Sequence, residues 1–374
     1  MRKFRIIFLI LIATLFLSAC GEVVGEKSDD LEGEVNREEE SEVNKEEEYE
    51  ETKEKEFLAR DFFFVEADTL KSFGGEGSEY AKFSNYVEYI KDNIVQIRNS
   101  NPGTDSLFVY EIEKDKINRV YLVYTEGETY YLQDHTKKED TNEIIIKSPI
   151  EKGNEWSIPD GRTRSITDIN KKVEVPFGTF EALEITTEGE NSITVEHYAK
   201  NIGLIKTTFY STEEDADFQV VSYLEDIQEG AYRTENFKVY YPDFEEDTLV
   251  YIQRSADVKT NDYITDIFEK EFRNVRENNN LTPLIGDRVS IWDISYDKEK
   301  NAAYIDFSPE LIDEMNVGAA LESMILTSIV NSIGDYFVTE KVMITINGEP
   351  YQSGHIYMEE GEYMTVNKEN VKRF

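Results

Sequence analysis

One cysteine stands in the 374 residues, Cys20, directly behind an apolar run. No intramolecular disulfide can therefore staple the fold, and no zinc site can be built from thiolates. Whatever follows Cys20 must hold together without covalent cross-links. The composition allows this, with 39% hydrophobic and 12% aromatic residues, including 23 Tyr and 21 Phe. The length suits two ordinary domains better than a single core.

The run itself is flanked as an export signal is. Arg2, Lys3 and Arg5 give a positive start, an apolar stretch follows to Leu17, and Leu17-Ser18-Ala19 precedes Cys20 and Gly21. Small residues before a unique Cys resemble the bacterial lipoprotein signal. That resemblance implies cleavage before Cys20 and a diacylglycerol thioether on its sulfur. An uncleaved membrane helix is the alternative, though the run is short for a span. The lipid reading makes residues 1–19 a signal peptide. It anchors the chain to the cell membrane with everything after Cys20 on the extracytoplasmic face, since no second spanning segment follows.

Net charge is −38. Nucleic acid is excluded as a partner, because affinity for phosphates comes from Lys and Arg. Acid concentrates in residues 20–56, with Glu38-Glu39-Glu40, Glu46-Glu47-Glu48 and Glu50-Glu51. Such a segment cannot bury enough surface to offset its ordering entropy, and its charges extend it. It is expected to be a disordered tether reaching roughly 115 Å at about 3.3 Å per residue. A solvated helix is the other reading, since Glu and Lys favour helix.

Short runs rich in Val, Ile, Thr and Tyr, separated by turn residues, then predict a β-rich antiparallel domain over residues 57–228. The expected strands are Ser106–Ile112, Val120–Thr125, Thr129–Gln133, Glu143–Ile146, Lys172–Val175, Ala182–Glu188, Ser192–Ala199 and Gly203–Tyr210. Phe62-Phe63-Phe64-Val65 reads as a buried strand. Asn85 to Arg98 reads ambiguously, with a short helix as one option. Ser148–Trp156, Val175–Ala182 and Glu196–Lys206 resemble β-rich domains of exported lipoproteins, which implies antiparallel sheet and a half-barrel, and no activity.

Residues 229–236 read as a polar linker, and residues 237–374 as a small two-layer α/β domain, making the chain α+β overall. Leu249–Arg254, Arg288–Tyr296, Ala302–Phe307 and Lys341–Ile346 are its expected strands. Thr260 to Asn278 and Val317 to Ile333 carry apolar stripes at helical spacing. Ser308-Pro309 reads as a helix start with Ser as cap, and Asn347-Gly348 as a tight hairpin turn.

Val239-Tyr240-Tyr241-Pro242-Asp243, Ala303–Ser308, Ile329–Ile333, Val342–Pro350 and Ser353–Ile356, in this order and spacing, resemble the GerMN domain of sporulation and spore germination. The loop before the central strand, Leu281–Asp287, is shorter in Gly and Pro than in many members. A single copy is evident. The resemblance implies a non-enzymatic fold related to ring-building domains, which associate side by side or dock on envelope partners.

Chemistry-bearing residues are few. Asp306 is a candidate carboxylate or a strand-end turn residue. Asp293, Asp297 and Glu299 lack the spacing and glycine of a calcium loop. His197 and His355 belong to no two-His motif. Tyr240 and Tyr241 are candidates for stacking or for packing, and Trp156 and Trp292 for core or edge. No catalytic residue, metal ligand or cofactor is assigned. Tyr240, Tyr241, Asp306 and His355 are taken as a candidate interaction surface. The expected role is a scaffold that associates with itself or with extracytoplasmic envelope proteins. A module binding cell-wall glycan or peptide is the alternative, and an enzyme using Asp306 or His355 a third reading.

Overall fold

The computed structural model describes residues 57–374, apart from 79–80, 126–130, 214–217 and 276–280. The signal, Cys20 and the acidic tether lie outside the described residues. Residues Glu54–Phe374 pack as one compact unit.

The chain is mostly β. A 3-10 turn at Ala59–Phe62 leads into β1 (Thr69–Glu76), β2 (Phe83–Lys91), β3 (Ile94–Ser100), β4 (Asp105–Ile112), β5 (Lys116–Tyr124) and β6 (Glu143–Lys147). Then follow β7 (Glu155–Ser157), β8 (Thr163–Val175), β9 (Gly178–Glu188), β10 (Ser192–Ala199), β11 (Gly203–Ser211) and β12 (Gln219–Glu229). These form a single antiparallel sheet in the order β6-β5-β4-β3-β2-β1-β12-β11-β10-β9-β8-β7. It is two meanders joined where β1 pairs with β12, from Thr69↔Glu229 to Glu76↔Val221.

Chain connectivity forces this sheet to curl. Its two end strands, β6 and β7, are consecutive and joined only by residues 148–154. Strands spaced at about 4.8 Å would put the ends of a flat twelve-stranded sheet roughly 50 Å apart, while that link reaches about 27 Å at most. The ends meet instead through side chains. Trp156 Nε1 donates to the Ile144 carbonyl at 3.0 Å, Arg164 Nη1 to the same oxygen at 2.8 Å, and Asn154 Nδ2 to Lys147 O at 2.9 Å. One end of the enclosed space is filled by Phe62, Ile117, Ile146, Trp156, Ile166, Leu183, Ile185 and Tyr198.

The carboxyl-terminal part begins with a long hairpin, β13 (Arg233–Asp243) and β14 (Thr248–Val258), followed by α1 (Ile264–Arg273). Next come β15 (Ile291–Asp297), β16 (Ala302–Phe307), α2 (Glu310–Glu314), α3 (Ala319–Tyr336), β17 (Lys341–Ile346), β18 (Glu349–Pro350), β19 (Met364–Thr365) and β20 (Lys372–Arg373). β15 to β18 lie in sequence order, with β16 and β17 parallel across the α2–α3 crossover. The apolar stripe of α3 enters the core at Ile325, Ile329 and Ile333, beside Phe268 and Phe272 of α1.

Four expectations are corrected. Asn85–Arg98 is the β2–β3 hairpin, turning at Asp92 with φ 54°. Tyr86 through Tyr89 are all buried, so the polar–apolar alternation that marks a strand is lost. Phe62–Val65 is the end of the 3-10 turn and an unpaired extended segment, with Phe64 43% exposed. The stretch 229–236, expected as a linker, is mostly strand, since β12 ends at Glu229 and β13 starts at Arg233. Ser308 does not cap α2. Its Oγ accepts the Ser290 N–H at 3.0 Å. The turn at Asn347-Gly348 does form, with φ of 52° and 79° at the two residues.

The junction is a buried seam rather than a hinge. Glu88 on β2 and Arg98 on β3 are each 1% exposed by side chain and pair at 2.7 Å. Gln96 Nε2 donates to the second Glu88 oxygen at 2.9 Å, and Arg233 of β13 approaches the first at 3.3 Å. A bulge between Val87 and Tyr89 makes Glu88 the extra residue of β2. Around it, Tyr86 Oη donates to Val258 O at 3.1 Å, Thr260 Oγ1 to Val87 O at 2.7 Å, and Tyr131 Oη to Phe337 O at 2.8 Å. Tyr89 and Leu132 join the same core as Phe268 and Phe337.

Candidate functional site

The four residues expected at a surface separate. Tyr240 and Tyr241 are neighbours on β13, yet both are buried. Tyr241 Oη donates to Glu271 O at 2.7 Å, and Tyr240 Oη to Asp335 Oδ1 at 3.3 Å. Burial, then the Asp335 charge, pushes the Tyr240 phenol above its ordinary range. Their rings are core, not contact surface. The β13 edge is covered by α3, where Ser332 Oγ accepts the Tyr240 N–H at 2.9 Å.

Asp306 ends β16. Its Oδ1 accepts the Thr345 hydroxyl at 2.6 Å and the Gly348 N–H at 2.9 Å, which pins the β17–β18 turn to the central strand. His355 is exposed in a loop, its N–H bound to Ser353 Oγ at 3.1 Å. Asp297 accepts the Lys300 N–H at 3.1 Å, and Asp293 the Ser295 hydroxyl at 2.8 Å. No group of three or more acidic, His or Cys side chains is placed to hold a metal among the described residues. His197 Nε2 donates to the Glu184 carboxylate at 3.0 Å, and burial lowers the imidazole pKa.

Trp156 is core, whereas Trp292 is 51% exposed. It occupies the bulge between Ile291 and Asp293 on β15, the end strand of its sheet. Nearby edge amides are already bound, Ile291 N–H to Glu269 Oε2 at 2.9 Å and Tyr296 N–H to Gln133 Oε1 at 3.3 Å. The indole is therefore presented on a fixed strand. A second exposed apolar side chain is Val338, 71% exposed with φ 51°.

Inside the curled sheet is a cavity of about 530 Å³. Phe73, Phe83, Phe108, Tyr110, Ile145 and Leu204 are among its walls, and Phe64 and Phe177, each about two-fifths exposed, mark its rim. Lys71 reaches from β1 to donate to Phe64 O at 3.0 Å and Ile202 O at 2.5 Å. Burial lowers its pKa to about 8. Besides Lys71, Asn85, Asn99 and Glu229, the polar lining includes a cluster drawn from four strands: Arg119 (β5), Glu143 (β6), Arg164 (β8) and Glu196 (β10). Both arginines pair with Glu143, Arg164 at 3.0 Å, and Arg164 lies 4.0 Å from Glu196. No sequence motif links these four. Only the strand order brings them together, so spacing along the chain could not have found them.

Residues 238–352 match the family model described as "Germane: Sporulation and spore germination". Among solved structures, the chain is similar to the tandem GerMN domains of the sporulation protein GerM from Bacillus subtilis. That match has 17% identity and a TM-score of 0.27, over 37% of this chain and 47% of that one. It is also similar to a lipoprotein candidate from Clostridium perfringens, with 15% identity and a TM-score of 0.24 over 35% of this chain and 87% of that one. A protein with a YmcC-like fold from Bacteroides fragilis matches at 13% identity and a TM-score of 0.28, over 45% of this chain and 99% of that one. This chain thus spans about half the length of the tandem GerMN protein. No curated protein matches it in sequence. From β13 to the loop after β18, residues 238–352, about a third of the chain, are a domain of the Germane family.

Proposed function

We propose that the protein is a lipid-anchored, extracytoplasmic assembly module without catalysis, linked to sporulation or germination. Cys20 carries the anchor, the acidic segment spaces the body from the membrane, and the curled sheet acts as a half-barrel platform for the Germane domain. The observation that carries the reading is Trp292, half exposed in a bulge on the end strand of the Germane sheet. Tryptophan concentrates binding energy at interface centres, and bulges at sheet edges re-aim side chains. The seam supports it further. A platform that shares a core with its domain, and whose buried Glu88 also meets Arg233 of β13, holds Trp292 in a fixed direction. The Oδ1 of Asp306, one of the two residues named for an enzyme reading, is bound to the Thr345 hydroxyl and the Gly348 N–H of a turn.

The test is association of the intact chain in its envelope. Trp292→Arg is expected to abolish recovery of a crosslinked second copy or envelope protein, with the fold unchanged. Equal recovery from the variant and the wild type would sink the reading. The alternative, a module for wall glycan or peptide, rests on exposed aromatics such as Tyr232, at 54%. Retention on purified sacculi that survives Trp292→Arg would favour it.

A further inference from the structure

We infer that the cavity of the curled sheet is a binding site for a single-chain amphiphile with a neutral, hydrogen-bonding head, of the monoacylglycerol type. The inference is independent of the assembly role. Its volume, about 530 Å³, falls within the range of small-molecule sites, roughly 300 to 1,000 Å³. The apolar and aromatic stretch of wall, with Phe73, Phe83, Phe108, Ile145 and Leu204, suits a hydrocarbon chain.

The head group follows from how the floor is paired. Arg119 and Arg164 both pair with Glu143, and Glu196 Oε1 accepts the Tyr198 hydroxyl at 3.0 Å. Two buried polar atoms remain without a hydrogen bond, Arg119 Nε, a donor, and Glu196 Oε2, an acceptor. Leaving such atoms unmet costs about 1–3 kcal/mol each, more for charged groups. A glycerol ester head accepts from the first through an ester or hydroxyl oxygen and donates to the second through a hydroxyl. A carboxylate head would lie beside Glu143 and Glu196 with no spare cation to receive it, because both arginines are paired. Lys71 does not change this, as it is turned onto two backbone carbonyls at the rim side. An ammonium head would satisfy Glu196 and leave Arg119 Nε unmet.

The test uses the full chain in phosphatidylcholine vesicles. Three probes carry a photoreactive diazirine on the same twelve-carbon chain, ending in a glycerol ester, a carboxylate or a trimethylammonium group. The glycerol ester is expected to label peptides containing Phe108, Tyr110 or Leu204, at least tenfold above the other two, and to be displaced by excess monolauroylglycerol. Leu204→Trp should fill the cavity and remove the labelling. Arg119→Lys keeps a cation beside Glu143 but has no Nε–H, and should reduce glycerol-ester labelling about tenfold, one hydrogen bond's worth. Labelling confined to other peptides, equal labelling by all three probes, or an Arg119→Lys variant that labels as the wild type does would overturn the inference.

Discussion

Glu88 and Arg98 meet across the β2–β3 ladder at 2.7 Å, each 1% exposed, at the place where the curled sheet joins the Germane domain. Arg233 of β13 reaches the same carboxylate. The pair is thus shared by both parts of the molecule.

Breaking one side of this pair should be severe. Glu88→Met leaves the Arg98 guanidinium buried with its main partner gone, a change that costs about 3–5 kcal/mol. Replacing both with Met is expected to recover most of that loss, because a well-packed apolar pair avoids the desolvation cost. Urea denaturation of the four members of the cycle measures the coupling. Additive single and double losses would contradict it.

Val338 should be replaceable with a gain. At the end of α3, Thr339 N–H binds Gly334 O at 2.9 Å and Val338 N–H approaches Asp335 O at 3.4 Å, the pattern of a Schellman motif. Val338 therefore fills the left-handed position that glycine prefers, with φ 51°. A β-branched residue there is strained by about 1–2 kcal/mol, and its exposure means little burial is lost on removal. Val338→Gly is expected to stabilise the chain by about 1 kcal/mol in thermal unfolding. A lower midpoint would contradict this.

Acid should destabilise the fold partly through His135. Burial first, then Lys138, lowers its pKa from 6.5 to about 4. Between those values the unfolded chain binds a proton that the folded chain does not. The contribution is therefore whole above pH 6.5 and is lost as pH falls through 4, by up to about 3 kcal/mol. Its ring stacks on Tyr121 at 5.5 Å, so His135→Phe keeps an aromatic partner. That variant should lose less stability than the wild type between pH 6.5 and 4. Parallel pH curves for the two proteins would refute the assignment.

Much of the fold was legible in the sequence where one face of an element is wet. β17 runs Lys341–Ile346 as its pattern predicts, and α3 overlaps the stripe read over Val317 to Ile333. Legibility failed where burial is two-sided. β2 faces the cavity with Val87 and the seam with Glu88, so Tyr86–Tyr89 carries no period of two. It failed also for the reading of Tyr240 and Tyr241 as an interaction surface, since their rings are packed and their hydroxyls bound inside the core. The cavity floor was not legible, because Arg119, Glu143, Arg164 and Glu196 lie on four strands and are united only by the curl of the sheet.

The central claim is that the Germane domain presents Trp292 to a partner. The most direct measurement places a photocrosslinking amino acid at position 292 of the full-length chain, in cells that make it, and identifies the adducts by mass spectrometry. The account predicts one dominant adduct, a second copy of this chain or an extracytoplasmic envelope protein, absent when the same group is placed at exposed Tyr210 on the curled sheet. No adduct at position 292, or the same adducts from both positions, would contradict it.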